Sequence, residues 1–426
     1  MSGTAAVGAA VHETRQPDVR SGSRWRQAAV ATTGTAVVVL VAVCGVAVWS
    51  AGSPLRAGAL TGARSEWARV FTVSLSLAFV LFVVGLALIR AHPASVRAVA
   101  AIAVAIQVAL LGAPLVLSTD AWSYWDYARI AAAHGANPYS APPAAYPRDV
   151  AYPHMAGAWH RTTSVYGPAF TLASEPLALV ARSSPAAAAW LYKALAAAAV
   201  LTAAGLAGYL ARRKAFAIAF VGWNPLLAVD FAGGGHNDAW MSAIVLAALA
   251  LAASGRRRLS AVAWAVAIFV KWVPLLLLPL HLLEQSALGR RVRYPALVAA
   301  ILVGAAVASL AFGPHWLRAA SPLAHLARHG SHFAVPRRIA FGLPPGVVLA
   351  ATAVALVAGY AWLLRSAVRG RARLGLAAGM LLLASPYLVS WYTIWAVPLA
   401  AAEEDGAAQL LSLGLCAYLL RQGIRL

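Results

Sequence analysis

Beyond its first 27 residues, this chain is built of apolar runs separated by short polar breaks. The runs lie near Ala28–Val48, Phe71–Ile89, Val99–Leu117, Ala186–Leu210, Ala215–Val229, Met241–Ala253, Ala261–Val270, Pro295–Ala311, Gly346–Leu364, Leu374–Leu383 and Leu410–Leu420. A bilayer-crossing helix needs about 20 apolar residues, so the shorter runs read as broken or re-entrant helices. The pattern predicts an all-α, polytopic integral membrane protein with roughly 11 to 13 transmembrane or re-entrant segments. Residues 1–27 are polar and read as a disordered cytoplasmic tail. The run after Arg26 is too long for a signal-peptide core and no cleavage site follows it, which predicts an uncleaved first span. Residues 28–426 then form a single transmembrane domain.

The breaks carry more information than the runs. Residues 118–183 are polar, Pro-rich and aromatic, too long a stretch for a mere connector. They read as an outer loop containing short interfacial or re-entrant helices, because Trp and Tyr favour the headgroup level. Within it, Phe170–Val180 holds Glu175 and Pro176 and predicts a hairpin dipping into the outer leaflet. Lys271 interrupts Ala261–Leu283, with Pro274 and Pro279 beyond it. Proline removes a backbone donor, so this is a broken helix pair returning to the cytoplasm. Ser385-Pro386-Tyr387 through Tyr392 is another break. No repeat of fixed period is visible, which disfavours inverted-repeat transporter folds.

Hydrophobic residues make up 62% of the chain and charged residues 11%, with mean hydropathy +0.73. Soluble proteins carry about 25% charged residues. The net charge of +21 does not indicate nucleic acid. Its arginines fall in loops, such as Arg212-Arg213-Lys214, Arg256-Arg257-Arg258, Arg290-Arg291 and Arg369 to Arg373. Cytoplasmic loops carry this excess, and the assignment puts the loops after Leu117 and Phe312 outside. Cys44 and Cys416 lie within apolar runs without metal-ligand spacing, and a disulfide would require them to meet in space.

With only 13 acidic residues, a carboxylate at a membrane exit is costly to desolvate and suggests function. Asp120 is such a group. It is either the N-cap of a helix over Ala121–Ala133 or a reacting carboxylate. Asp126 and Arg129, one turn apart, read as a surface pair, and Asn137-Pro138-Tyr139 as a turn. In Gly233-Gly234-Gly235-His236-Asn237-Asp238, the glycines allow close backbone approach to an anion or sugar. The alternative is a flexible loop in which Asn237 or Asp238 caps the next helix. Asp230, at about 2.5–3.5 kcal/mol for an unpaired aspartate in a helix centre, requires a partner, and a basic residue is expected. His315, His325, His329 and His332 lack an acidic or cysteine companion, so no metal site is assigned. No Asp-X-Asp or Walker motif points to a soluble nucleotide donor.

The series Asp120…Tyr124…Tyr127 and Gly135-Ala136-Asn137-Pro138-Tyr139 resembles the first outer loop of the C-type glycosyltransferases, polytopic enzymes that take a sugar from a polyprenyl phosphate. Further motifs follow in order: Trp159…Tyr166-Gly167-Pro168, Trp223-Asn224-Pro225-Leu226, Gly233 to Asp238, Lys271…Pro274-Leu275 and Ser385-Pro386…Trp391-Tyr392…Trp395. Together they resemble the actinobacterial polyprenol-phosphomannose-dependent alpha-1,6-mannosyltransferases. The resemblance implies an inverting hexosyltransferase, with mannose as the sugar, that uses no cofactor. Its partners would be a polyprenyl-phosphate sugar, a cell-envelope glycan or glycolipid acceptor, and membrane lipids. The protein would be a multi-pass cell-membrane enzyme with an extracytoplasmic active site. Asp120 would be the general base, and Tyr124, Tyr166, His236, Asn237, Asp238, Lys271, Arg161, Trp391 and Tyr392 would bind substrate. Lys193, Lys271, Arg161, Arg337 and Arg338 are candidates to neutralise the departing phosphate, with Glu175 a weaker site residue. Trp125-Asp126 and Ser390 depart from the family pattern and leave acceptor and linkage open. A transporter or flippase of polyprenyl-linked sugars is the alternative, and a non-catalytic assembly subunit a third.

Overall fold

The computed structural model of the chain describes residues 19–53, 62–290, 293–319 and 330–422. Among them the regular structure is entirely helical. Helices α1 (Val19–Ala51) and α2 (Ala63–Ala91) form a long hairpin, and α3 (Val96–Leu111) packs against α1. The 118–183 stretch contributes α4 (Asp120–Ala132) and α5 (Pro168–Ala181), which pack on each other. Helix α6 (Pro185–Leu210) follows, then α7 (Lys214–Gly222), the single turn α8 (Pro225–Leu227) and a π-turn over Ala228–Gly233. Next come α9 (Asp238–Ala253), α10 (Arg257–Val270), α11 (Pro274–Ala287) and α12 (Tyr294–Phe312). The remainder is α13 (Val335–Arg338), α14 (Pro345–Val368), α15 (Leu374–Ala384), α16 (Val397–Glu403) and α17 (Gly406–Leu419).

Among the described residues, five helices are long and apolar enough to cross a membrane: Trp25–Ala51, Arg64–Ala91, Pro185–Leu210, Tyr294–Ala319 and Pro345–Val368. Lys214–Gly222 and Pro225–Gly233 form one more segment, bent by 44°. Several others are apolar but short, so the expected segments resolve into a minority of full-length spans and a majority of pieces. Small residues explain how the pieces pack. Helix α6 buries Ala188, Ala196, Ala203, Ala204, Ala207 and Gly208, and such residues let helix backbones approach closely in lipid. The Trp223-Asn224-Pro225 motif is part of this packing. Trp223 is fully buried between Gly34 and Gly85, where side chains would collide with its ring, and its Nε1 donates to Val99 O at 2.9 Å.

The arginine-rich loops meet at one end of the bundle. Arg212 Nε lies 3.1 Å from Glu404 Oε2, Arg373 Nε lies 2.6 Å from Asp405 Oδ2, and Ala372 N donates to Glu284 Oε1 at 2.9 Å. Because successive helices run in alternating directions, the ends of α9, α10 and α11 remote from these loops gather at the opposite pole.

Three expectations need correction. Lys193 is 1% exposed and lines none of the cavities described below; its Nζ donates to Leu110 O at 2.8 Å, to Leu111 O at 3.2 Å and to Ala113 O. It therefore satisfies carbonyls left open at the end of α3. Replacing Lys193 with Met strands these acceptors, and at about 1–3 kcal/mol for each buried group left unpaired the thermal midpoint of the purified protein is expected to fall by several degrees. Arg129 does not pair with Asp126. It donates to both Asp149 oxygens, at 2.7 and 3.0 Å, where His134 Nε2 also approaches to 2.6 Å. Asp126 is buried instead, and burial together with the Asp149 charge raises its pKa to about 7 against the opposing pull of Arg129. Asp230 finds a hydroxyl rather than a cation, accepting from Ser390 Oγ at 2.9 Å. Cys44 and Cys416 do not meet in a disulfide and are buried free thiols.

Candidate active site

A cavity of about 230 Å³ lies at the pole remote from the arginine loops. Five pieces of chain build it: the start of α4 (Asp120, Tyr124), the loop before α5 (Trp159, Tyr166, Gly167), the start of α9 (Asn237, Asp238), the α10–α11 break (Lys271, Trp272), and Tyr387 to Trp395. The break forms as the prolines require. Pro274 has no N–H to donate and opens α11, a position proline suits. Lys271, with φ −158° and ψ 146°, leaves α10 in an extended conformation, which frees its side chain from the helix.

The loop before α5 is pinned from two sides. Asn137 Oδ1 accepts from Tyr139 N at 3.0 Å, and Asn137 Nδ2 donates to Phe312 O at 2.5 Å, so Asn137-Pro138-Tyr139 is the expected turn. Tyr139 Oη then donates to Tyr166 O at 2.8 Å. Gly167 sits directly against the last carbonyls of α10: a Cβ there would lie 2.1 Å from Phe269 O. Gly167→Ala is therefore expected to force α5 away from the Lys271 break. At about 1–3 kcal/mol for overpacking, it should lower the thermal midpoint and weaken any ligand of the cavity, as calorimetry of the purified variant would register.

Asp120 is the first residue of α4, with Thr119 at the N-cap, so the capping alternative fails. Its Oδ2 lies 3.3 Å from His236 Nδ1, and 21% of its side chain stays accessible. His236 is held in turn by stacking on Trp391, with ring centroids 3.8 Å apart and planes 11° from parallel. Burial opposes ionisation of Asp120, but His236, the Ser118 hydroxyl and the Lys271 charge together hold its pKa below the ordinary 3.8. The carboxylate is thus ionised at neutral pH and able to accept a proton.

Opposite stands a second acid with its cation. Asp238 Oδ1 accepts from Lys271 Nζ at 2.5 Å and from Trp395 Nε1 at 2.6 Å. Lys271 also lies over the Tyr392 and Trp395 rings, at 5.0 and 5.4 Å, where ring quadrupoles attract a cation. It is the one cationic side chain among the described residues lining the cavity. Asp238 Oδ2 and both side-chain amide atoms of Asn237 are buried without hydrogen-bond partners among the described residues. Buried polar groups are ordinarily satisfied, so these atoms are suited to a polar ligand. Tyr124, packed edge-on against Tyr166 at 4.8 Å, accepts from Asn237 N at 3.4 Å and fixes α4 against α9.

Of the nine substrate-binding candidates, Tyr124, Tyr166, Asn237, Asp238, Lys271, Trp391 and Tyr392 line this cavity. His236 does not; it stands behind Asp120, fully buried. Arg161 is exposed and outside the lining, as are Arg337 and Arg338. Glu175 faces elsewhere on α5. The triple glycine is not an open anion cradle. A Cβ on Gly233 would strike Val116, one on Gly234 the Asp230 carbonyl, and Gly235 (φ +74°) abuts Tyr192 and Lys193. The amides of Gly234 and Gly235 already bond Phe231 O. Nor do Asn237 or Asp238 cap α9 through their side chains. His325 and His329 lie outside the described residues; no three His, Cys, Asp or Glu among the described residues are grouped to hold a metal ion. Trp272, Tyr387 and Trp395 join the site unanticipated as binding residues. A tryptophan beside Lys271 at a helix break was the available signal for the first.

A family model described as alpha-(1->6)-mannopyranosyltransferase, N-terminal domain, matches residues 28–285. This span holds Asp120, Asn237, Asp238 and Lys271 but not the aromatic wall from Tyr387 to Trp395. Among curated proteins, alpha-(1->6)-mannopyranosyltransferase A of Mycobacterium tuberculosis is 29% identical over 208 residues, covering 47% of this chain and 40% of that relative. The chain thus spans about 40% of the length of the curated relative it matches. No solved structure matches.

Proposed function

This chain belongs to the alpha-(1->6)-mannopyranosyltransferase family, and on that premise we propose that it transfers mannose from a polyprenyl-phosphate donor to a cell-envelope glycan or glycolipid. The observation that carries the reading is the arrangement of Asp120 and Lys271 on one aromatic-walled cavity. Asp120 takes the proton from the acceptor hydroxyl as that oxygen bonds to C1 of the sugar. The C1–O bond to phosphate breaks on the opposite face, and polyprenyl phosphate leaves with the electron pair. One carboxylate acting as base gives inversion. The leaving phosphate gains negative charge, and Lys271 is the fixed cation suited to receive it. Asn237 and Asp238 Oδ2 would take sugar hydroxyls, with Trp391, Tyr392 and Trp395 against its apolar faces.

Charge supports an outward-facing site. Arginine-rich loops favour the cytoplasm, and the cavity lies at the other pole, so the reaction faces outward. Polar motifs gathered at one pole of the bundle, rather than paired broken helices at the midplane, favour transfer over passage of the lipid-linked sugar. The test is to incubate purified protein with radiolabelled polyprenyl-phosphate mannose and envelope glycolipids, with glucose and arabinose donors beside it. Label appearing in the glycolipid supports the reading. Lipid-linked sugar crossing vesicles without product would replace it with the flippase.

A further inference from the structure

We propose that the arginine-rich pole carries a second site, which binds the phosphate of an anionic membrane lipid whose acyl chain lies between α10 and α12. The head of the site does not depend on the transfer reading, since it lies at the opposite end of α10 from Lys271. Its head is a small cavity of about 40 Å³, several times the roughly 10–15 Å³ one water needs. Arg257, Ser260, Trp264, His281, Gln285 and Arg293 supply its polar lining, and none of the lining residues is acidic.

Two buried atoms point to a missing ligand. Trp264 is 2% exposed and His281 5% exposed, and both line the cavity. Trp264 Nε1 and His281 Nδ1 have no hydrogen-bond partner among the described residues. Their rings lie 5.4 Å apart, so one ligand can reach both. Indole N–H only donates, and guanidinium only donates. A cluster of such donors without a carboxylate selects an acceptor-rich anion, and phosphate matches the guanidinium geometry.

The tail observation is separate. Helices α10 and α12, which line the head cavity, also line an apolar groove of about 520 Å³. Ala261 and Leu297 line the head cavity, and their chain neighbours Val262 and Ala296 line the groove, which then passes Val266, Ala299 and Val303. Val262, Val266 and Val303 are 46%, 40% and 63% exposed. A polar head pocket and an apolar groove on the same two helices suit a lipid and exceed what free phosphate needs. Basic pockets between membrane helices on the cytoplasmic side bind anionic headgroups.

Native mass spectrometry of the full chain in detergent tests this, with phosphatidylglycerol, phosphatidylcholine of the same acyl chains, and inorganic phosphate as probes. Phosphatidylglycerol is expected to bind at least 10-fold more tightly than phosphatidylcholine. Arg257→Gln with Arg293→Gln should remove most of that preference. Trp264→Phe keeps the ring, deletes only the N–H, and should weaken phosphatidylglycerol several-fold, even if the arginine pair affects folding. Ala299→Phe, on an exposed position, should weaken the lipid by obstructing the groove. Equal binding of the two lipids, or a preference unchanged in the arginine and Trp264 variants, overturns the proposal. Inorganic phosphate competing as strongly as the lipid overturns the groove's part in it.

Discussion

Asp120→Asn is expected to reduce mannosyl transfer about 10²–10⁴-fold, the usual contribution of a positioned general base. The amide keeps the shape of the side chain but cannot take the acceptor proton. Since Asp120 retains 21% accessibility beside His236 and caps nothing, the variant should insert and fold normally. The loss should therefore fall on kcat, with KM and thermal midpoint little changed. The pH profile supplies an independent check. The pKa of Asp120 is held below 3.8, so its protonated form gains ground only as pH falls through that depressed value. Transfer by the unmodified protein should thus show no acid limb attributable to this group between pH 5 and 7 (ordinary carboxylates titrate near pH 4). More than a few per cent of activity in Asp120→Asn removes this residue from the mechanism.

Lys271→Gln should be equally damaging and by two routes. The glutamine has no charge to offer the departing phosphate, and loss of such a fixed stabilising group lowers kcat about 10²–10³-fold. It also abandons Asp238, which is 1% exposed and keeps only Trp395 on the same oxygen. Breaking a buried pair on one side costs about 3–5 kcal/mol; with the lysine side chain 23% accessible, the lower end applies. The double variant Lys271→Gln with Asp238→Asn separates the routes. It should recover most of the thermal midpoint and none of the transfer. Recovery of transfer in the double variant would show that Lys271 only neutralises Asp238.

The same two residues show what was readable in advance. Asp120 stood out because a carboxylate at a membrane exit is rare and costly, and Lys271 because a charge and two prolines interrupt an apolar run. Tyr124, Tyr166, Asn237, Asp238, Trp391 and Tyr392 were located through the resemblance of their motifs, and all six line the cavity. Where the reading failed, the question was one of partners. Asp126 and Arg129 are correctly spaced for a helical pair, yet Arg129 reaches Asp149, 20 residues on. Lys193 was one of several candidates for the phosphate because its need for partners was visible and the open end of α3 was not. The glycines at 233–235 were expected to admit a ligand, but what approaches them is Val116, His236 and the α6 backbone.

The sequence by itself determined that this chain is a helical membrane protein, where its helices break, and which rare polar groups require an explanation. Those properties follow from hydropathy, proline geometry and desolvation, which act on a residue and its near neighbours. Tertiary structure alone decided who meets whom: Asp238 with Lys271 across 33 positions and with Trp395 across 157, and His236 behind Asp120 rather than beside the ligand. Such contacts arise from the packing of alternating helices, and an ion pair at 2.5 Å depends on distances that no local pattern encodes.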